Sequence, residues 1–253
     1  MPLVPARGSL RASLLFLMCV LATACGANGV FRPEYEYEEE VYLALDGSAT
    51  VNVNASVAAL VALRGASLDP NPRARLDRDA VRALFSAEGT DVSVSLSRRD
   101  GRRFVHVSID VPDVRQIPRL APLAWSSYRF DRRGDVFEFR QVLGASAARD
   151  VGDVNWTGQE LVNFKMHLPS EVVFHNATSG VERGNILEWQ QSLADRLQGV
   201  PLELEVHLEP ESILYTTLLL FGGTVVAAAL MFALIIWWVA RRGRDTEALA
   251  KNP

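Results

Sequence analysis

Disulfides cannot hold this chain together. It has 2 cysteines in 253 residues, Cys19 and Cys25, so everything beyond them must be stable through its core alone. Lysine is almost missing: only Lys165 and Lys251 stand among the 26 basic residues, a bias that points to GC-rich coding rather than to a mechanism. No Gly-x-Ser-x-Gly elbow, Ser-x-x-Lys, Walker loop or Gly-x-Gly-x-x-Gly fingerprint occurs, which removes the enzyme classes built on those turns. The 4 histidines, His106, His167, His175 and His207, never reach His-Glu-x-x-His spacing, so no helical zinc motif is present. From Gly26 to Ser212 there are 28 acidic and 20 basic residues, a net charge of −8. That balance argues against nucleic acid as a partner and against broad adhesion to anionic lipid.

What the chain does have is one long uncharged run. The 28 residues Ile213–Ala240 carry no charge, and Arg241-Arg242-Gly243-Arg244 follows at once. About 20 apolar helical residues cross the hydrocarbon core, so a transmembrane helix is expected over 213–240. Arginine-rich flanks stay inside, which predicts a cytoplasmic tail at 241–253 and an extracytoplasmic domain before the span. Tyr215 and Trp237-Trp238 suit the two headgroup layers. Gly222-Gly223 and Ala227 add a small-residue face of the kind on which spans pair.

The N-terminus reads as a signal peptide over 1–24. Arg7 and Arg11 form a basic start, Leu14 to Ala22 an apolar stretch, and Ala22-Thr23-Ala24 a small-x-small cleavage site. Cys25 then stands first in the mature chain, as in the lipobox of bacterial lipoproteins, whose thiol is acylated. Leu21 lies four residues before it rather than the preferred three. Lipidation of Cys25 is the expected reading, with ordinary cleavage as its alternative.

Residues 26–212 read as one α+β domain, mostly antiparallel and rich in hairpins. Tyr35 to Leu45 alternate up to Asp46-Gly47, and Val51 and Val53 return, because Asp-Gly tolerates the positive φ of a tight hairpin turn. Ser56 is placed to cap a helix from Val57 to Arg64 that Gly65 ends. A second helix is expected from Asp77 to Ala87, stopped at Gly89. Asp100-Gly101 makes another hairpin turn, between Val92–Leu96 and Val105–Val111. A helical turn is expected over Asp113–Leu120, and a third hairpin turns at Arg132-Arg133-Gly134. Residues 144–158 read as loop. Strands then follow near Leu161–Leu168, Val172–Phe174, Ile186–Trp189 and Leu202–Leu208, with a short helix at Ser192–Gln198. Glu209-Pro210-Glu211 is left as a short link to the membrane helix.

Several residue groups offer chemistry. Arg98, Arg99, Arg102 and Arg103 crowd one hairpin tip, where guanidinium groups grip phosphate or an acidic partner; a solvated turn is the alternative. Arg133-Gly134-Asp135 is read as turn chemistry. His167 and His175 flank Pro169-Ser170 and would meet if those strands formed a hairpin. Asp150, Asp153 and Asn155 are loosely spaced like a calcium loop but lack its Gly and bidentate Glu. Phe130, Phe137, Phe139, Phe164, Phe174 and Trp189 would either line a lipid-sized cavity in a curved, partly barrel-like sheet or fill a core.

The order of these pieces resembles the LppM-like group of bacterial envelope proteins. The matching residues are Asp46-Gly47-Ser48-Ala49-Thr50-Val51, Ala58-Ala59-Leu60, Pro169-Ser170-Glu171-Val172, His175-Asn176 and Gly184-Asn185-Ile186-Leu187-Glu188-Trp189. The resemblance implies an α+β, partly barrel-like domain at the envelope surface with affinity for lipid or glycolipid, and it brings no catalytic residues. The expectation is therefore a single-pass protein of the bacterial cytoplasmic membrane, its domain outside and its C-terminus in the cytoplasm. That domain binds lipid, glycolipid or another ligand without catalysis and needs no cofactor or metal. A protein-interaction module of an envelope complex is the alternative, and a hydrolase the third class.

Overall fold

The computed structural model describes residues 35–250; the leader and Cys25 lie outside the described residues. Among the described residues, ten strands form two open sheets. In the first, the order is β3 (Asp91–Arg99), β4 (Arg102–Val111), β2 (Ala49–Ser56), β1 (Tyr35–Leu43), β7 (Leu161–His167) and β9 (Ile186–Ser192). The β1–β7 pair is parallel and its other neighbours pair antiparallel. The second sheet runs β5 (Ser126–Arg133), β6 (Val136–Leu143), β10 (Leu202–Ser212), β8 (Ser170–His175), all antiparallel. Each sheet keeps two free edges, so neither closes into a barrel. The α+β, mostly antiparallel class expected from the hairpins is what the structure has.

Local chemistry explains the element ends. Asp46 accepts from the Ser48 amide at 2.9 Å and from its hydroxyl at 2.7 Å, holding the β1–β2 turn while Gly47 takes φ +88°. Asp100 and Gly101, at φ 50° and 75°, form the two-residue turn whose twist suits a hairpin. Helix α1 (Val57–Arg64) begins where the Ser56 hydroxyl accepts from Ala59 N at 3.0 Å and ends at left-handed Gly65. Helix α2 (Arg78–Phe85) stops two residues short of Ala87, at extended Ser86. The Thr90 hydroxyl takes over the backbone there, accepting from Ala87 N and donating to Ala87 O, so Gly89 is not the stop. A short 3-10 helix spans Val114–Arg119, and helix α3 (Leu193–Leu197) is capped by Ser192.

Alternation sorts the first sheet into two faces. Val41, Val51, Ile109 and Val92 stand in one cross-strand row, and Val53, Val107 and Val94 in another. This apolar side packs on α1, whose residues Val57 to Leu63 are all buried, and on the inner side of the second sheet, where Phe139, Leu204, Val206 and Leu208 are buried. The sheets meet through a polar group inside the core. Buried Glu39 receives the Tyr37 hydroxyl at 2.8 Å, the Tyr128 hydroxyl at 2.5 Å and the Gln141 amide at 2.8 Å. Arg64 lies over the Tyr37 ring, 4.3 Å from its centroid; burial pulls its pKa down to about 10, which leaves it charged at neutral pH.

The final strand runs straight into the last helix. β10 continues through Glu209-Pro210-Glu211 to Ser212, and helix α4 (Ile213–Ala250) starts at the next residue, so these residues are strand rather than a separate link. Within α4 the 22 residues Thr217–Trp238 are long and apolar enough to cross a membrane and are not covered by the rest of the protein. Residues 241–244 fall inside this helix.

Candidate functional site

Register identifies which end of the domain carries α4. Ile213 N donates to Pro169 O at 3.2 Å, and Pro169 follows β7 by two residues. β1 runs parallel to β7, with Tyr42 beside His167. β2 and β4 pair antiparallel in turn, placing Thr50 beside Tyr42 and Asp110 beside Thr50. Asp110, Thr50, Tyr42 and His167 thus form one row across the outward face of the sheet, at the end from which α4 departs.

An open cleft of about 450 Å³ lies at this row, lined by Tyr42, Leu43, Ala49, Thr50, Asp110, Val111, His167 and Leu168, among others. Its floor is a stacked pair: the Tyr42 and His167 rings lie 4.0 Å apart at 10°. His167 Nε2 sits 2.6 Å from Glu40 Oε1, which sets the imidazole's orientation. Burial first, and then Glu40, pushes the Tyr42 phenol up, keeping it protonated and a donor at neutral pH. Across the cleft the Thr50 hydroxyl donates to Asp110 at 2.6 Å. Apolar walls, an exposed ring face and a few fixed polar groups are the ingredients of a small-ligand site.

The next rows on this face are polar throughout. Ser108, Asn52, Glu40 and Lys165 form one, and His106, Asn54, Glu38 and Asn163 the other. Lys165 bridges Glu188 at 2.9 Å and Glu38 at 3.5 Å. Burial opposes its charge, yet the bond to Glu188 and the nearby carboxylates hold its pKa above the ordinary lysine value.

The arginine tip lies at the opposite end. β4 has nine residue steps from Arg102 to Val111, which at about 3.3 Å each puts the tip roughly 30 Å from the cleft. Its four arginines also differ. Arg98 is exposed. Arg99 donates to Tyr35 O at 3.1 Å and lies over Phe104. Arg102 pairs with buried Glu36 at 2.9 Å. Arg103 is buried and donates to the carbonyls of Ala74 and Asp69. The structure therefore does not bring the four groups to a common outward face.

Other sequence candidates are dispersed. β7 and β8 belong to different sheets, so His167 and His175 do not face each other across a hairpin; His175 Nδ1 instead accepts from Ala177 N at 3.2 Å. Asp150 and Asp153 accept from the backbone amides two residues on, as loop-shaping Asp residues do. Arg133 reaches Glu138 at 3.1 Å. Among the described residues, Glu138, Glu205 and His207 bring potential metal-ligand atoms within 4.8 Å of one another on the outer face of the second sheet. Phe139, Phe164 and Trp189 are fully buried in the core, whereas Phe174 is exposed against His207. Phe139, Phe164 and Trp189 fill the interior from two sheets rather than line one cavity.

Sequence reasoning missed Tyr42, Glu40, Thr50 and Asp110. Their alternation with Val41 and Leu43, or with Ala49 and Val51, marks them as outward residues, but only the non-local β1–β7 and β2–β4 pairings assemble them.

No family model matches this chain, and no curated protein matches it. Among solved structures, the NMR structure of the folded domain of LppM from Mycobacterium tuberculosis is similar at a TM-score of 0.41 and 15% identity, covering 73% of this chain and 95% of that one. That is a distant likeness at the level of fold alone.

Proposed function

We propose that this chain is an LppM-like, membrane-anchored protein of the bacterial envelope whose outward domain binds the headgroup of a lipid or glycolipid, without transforming it, in the Tyr42–His167 cleft. The observation that carries the reading is position: Leu168 lines the cleft and, two residues on, Ser170 follows the carbonyl that receives the first amide of α4. If α4 spans the bilayer, the cleft faces the headgroup layer with no intervening linker. The exposed Tyr42 face, the Glu40–His167 pair and Thr50 supply stacking and hydrogen bonding of the kind that orients a sugar or phosphate-bearing headgroup. The residue pattern shared with the LppM-like group agrees with this reading.

Native mass spectrometry of the full-length protein released from detergent micelles tests it. The wild type should retain a lipid whose mass names it as phospholipid or glycolipid. Tyr42→Ala with His167→Ala should lower the bound fraction by about tenfold, the loss of roughly 1.4 kcal/mol of binding. Equal retention by both proteins would sink the proposal, because lipid held only by α4 is indifferent to these two residues.

Orientation belongs to the same proposal. The arginines at 241–244 favour a cytoplasmic C-terminus, and acylation of Cys25 would tie the domain to the bilayer at a second point. Protease added to intact spheroplasts should digest the domain and leave a C-terminal epitope on α4 protected. Protection of the domain would reverse the topology.

A further inference from the structure

Two rows beyond the cleft, the outward face of the first sheet holds a nucleophile, a base and an orienting group in hydrogen-bonded sequence. Ser97 Oγ lies 2.7 Å from His106 Nε2, and His106 Nδ1 lies 2.9 Å from Asn54 Oδ1. Asn54 donates through Nδ2 to Glu38 at 3.2 Å, and Glu38 is paired with Lys165. These contacts settle the proton positions. With its amide nitrogen turned to Glu38, Asn54 presents an oxygen to His106, and that oxygen can only accept. Nδ1 must therefore carry the hydrogen, and Nε2 keeps its lone pair for the serine O–H. Burial, and then the charge of Arg99, pull the His106 pKa below the ordinary histidine value, so the ring is neutral, and able to accept a proton, near pH 7. The three residues come from three adjacent strands, β3, β4 and β2, which fixes their spacing more firmly than loops would.

We propose that Ser97 is an activated nucleophile that accepts an acyl group from carboxylic esters, with His106 as its base and Asn54 positioning the imidazole. Ser97 Oγ adds to the ester carbonyl carbon while its proton passes to His106 Nε2. The C–O bond to the alcohol then breaks, and His106 returns the proton to the departing oxygen, leaving acyl-Ser97. Solvent water discharges it by the same route: His106 takes one water proton, the hydroxyl adds to the acyl carbon, and Ser97 Oγ leaves with the proton restored. The products are an alcohol and a carboxylic acid. A shallow, open cleft of about 380 Å³ beside the group is lined by Asn52, Asn54, Ser93, Ser95 and His106 together with Val94 and Val107, which suits the ester of a small or exposed acyl group rather than a buried chain. This proposal is independent of lipid binding at Tyr42 and His167.

Ser93 and Ser95 provide internal controls, since both are exposed on the same strand and, of these three serines, only Ser97 has an imidazole within hydrogen-bond distance. A fluorophosphonate probe applied to the full-length protein in detergent, followed by peptide mass spectrometry, should modify Ser97 at least about a hundredfold faster than either, the smaller end of what a positioned base contributes. His106→Ala should reduce Ser97 to the level of its neighbours. Asn54→Leu should do the same, and Asn54→Asp combined with Glu38→Gln, which exchanges donor and acceptor between the two positions, should restore the reactivity. Uniform labelling of the three serines, or Ser97 labelling that survives His106→Ala, overturns the proposal. Ser97→Ala, a small change at an exposed position, guards against misfolding of the other variants: p-nitrophenyl acetate should be hydrolysed by the wild type and not by this variant, and equal rates overturn the proposal as well.

Discussion

Glu39→Ala should lower the stability of the domain by about 3–5 kcal/mol, the cost of removing one side of a buried polar group and leaving the other unpaired. Tyr37 donates to one carboxyl oxygen, and Tyr128 and Gln141 donate to the other. Alanine leaves both phenols without their acceptor between the sheets, and the Gln141 amide with only the Tyr128 hydroxyl, at 3.1 Å. Both phenols are pushed well above the ordinary tyrosine pKa, by burial first and then, for Tyr128, by the Glu39 charge, so neither can escape by ionising. At about 2–4 °C per kcal/mol for a domain of this size, the melting temperature should fall by about 10 °C. Glu39→Gln keeps the side-chain shape and one acceptor oxygen and should cost less than half as much. Urea unfolding followed by circular dichroism measures both. A loss below about 1 kcal/mol for Glu39→Ala would mean that water enters and satisfies the three donors.

Arg102→Ala should be nearly as damaging, at about 3 kcal/mol, while Arg98→Ser, on the same hairpin and opposite Arg103, should stay within about 0.5 kcal/mol. The contrast follows from burial: Glu36 is 2% exposed and the Arg102 side chain 13%. Without Arg102 the Glu36 carboxylate keeps the Trp156 indole at 3.0 Å but loses its nearest cation. The same pair anchors the loop of residues 144–160, because Arg102 also lies 4.0 Å from Glu160, whose oxygens hold the amides of Thr157 and Gly158. Limited proteolysis in this loop should therefore accelerate in Arg102→Ala and not in Arg98→Ser. Equal stability of the two variants would return the tip to the status of a solvated cluster of four equivalent cations.

Much of the local structure was legible in the residues. Ser56 and Gly65 bound α1 as their chemistry requires, and Asp100-Gly101 set the β3–β4 register. That register already places Ser97 and His106 on one face. The third member, Asn54, was hidden because β2 pairs β4 across a separation of some fifty residues, and alternation says which way a side chain points without saying which strand lies beside it. The crowding of Arg98, Arg99, Arg102 and Arg103 misled for a related reason. At a two-residue turn the positions alternate between the two faces, and Glu36, which pairs with Arg102, arrives from β1. The histidine pair failed at Pro169-Ser170, where the chain leaves one sheet and enters the other; a corner of this kind carries the same turn residues as a hairpin.

Hydrophobic period, turn chemistry and the uncharged run of Ile213–Ala240 by themselves determined an α+β domain of hairpins and short capped helices joined to one apolar helix, because those signals act over a few residues. Tertiary structure alone decided that β1 lies parallel to β7, and so that Tyr42 stacks on His167 in a cleft beside the origin of α4. It also decided that Glu39 is buried between two sheets and that Asn54 completes the row from Ser97 through His106. Each of these depends on contacts between segments far apart in the chain, which are selected by how two apolar faces fit together rather than by any residue's own preference.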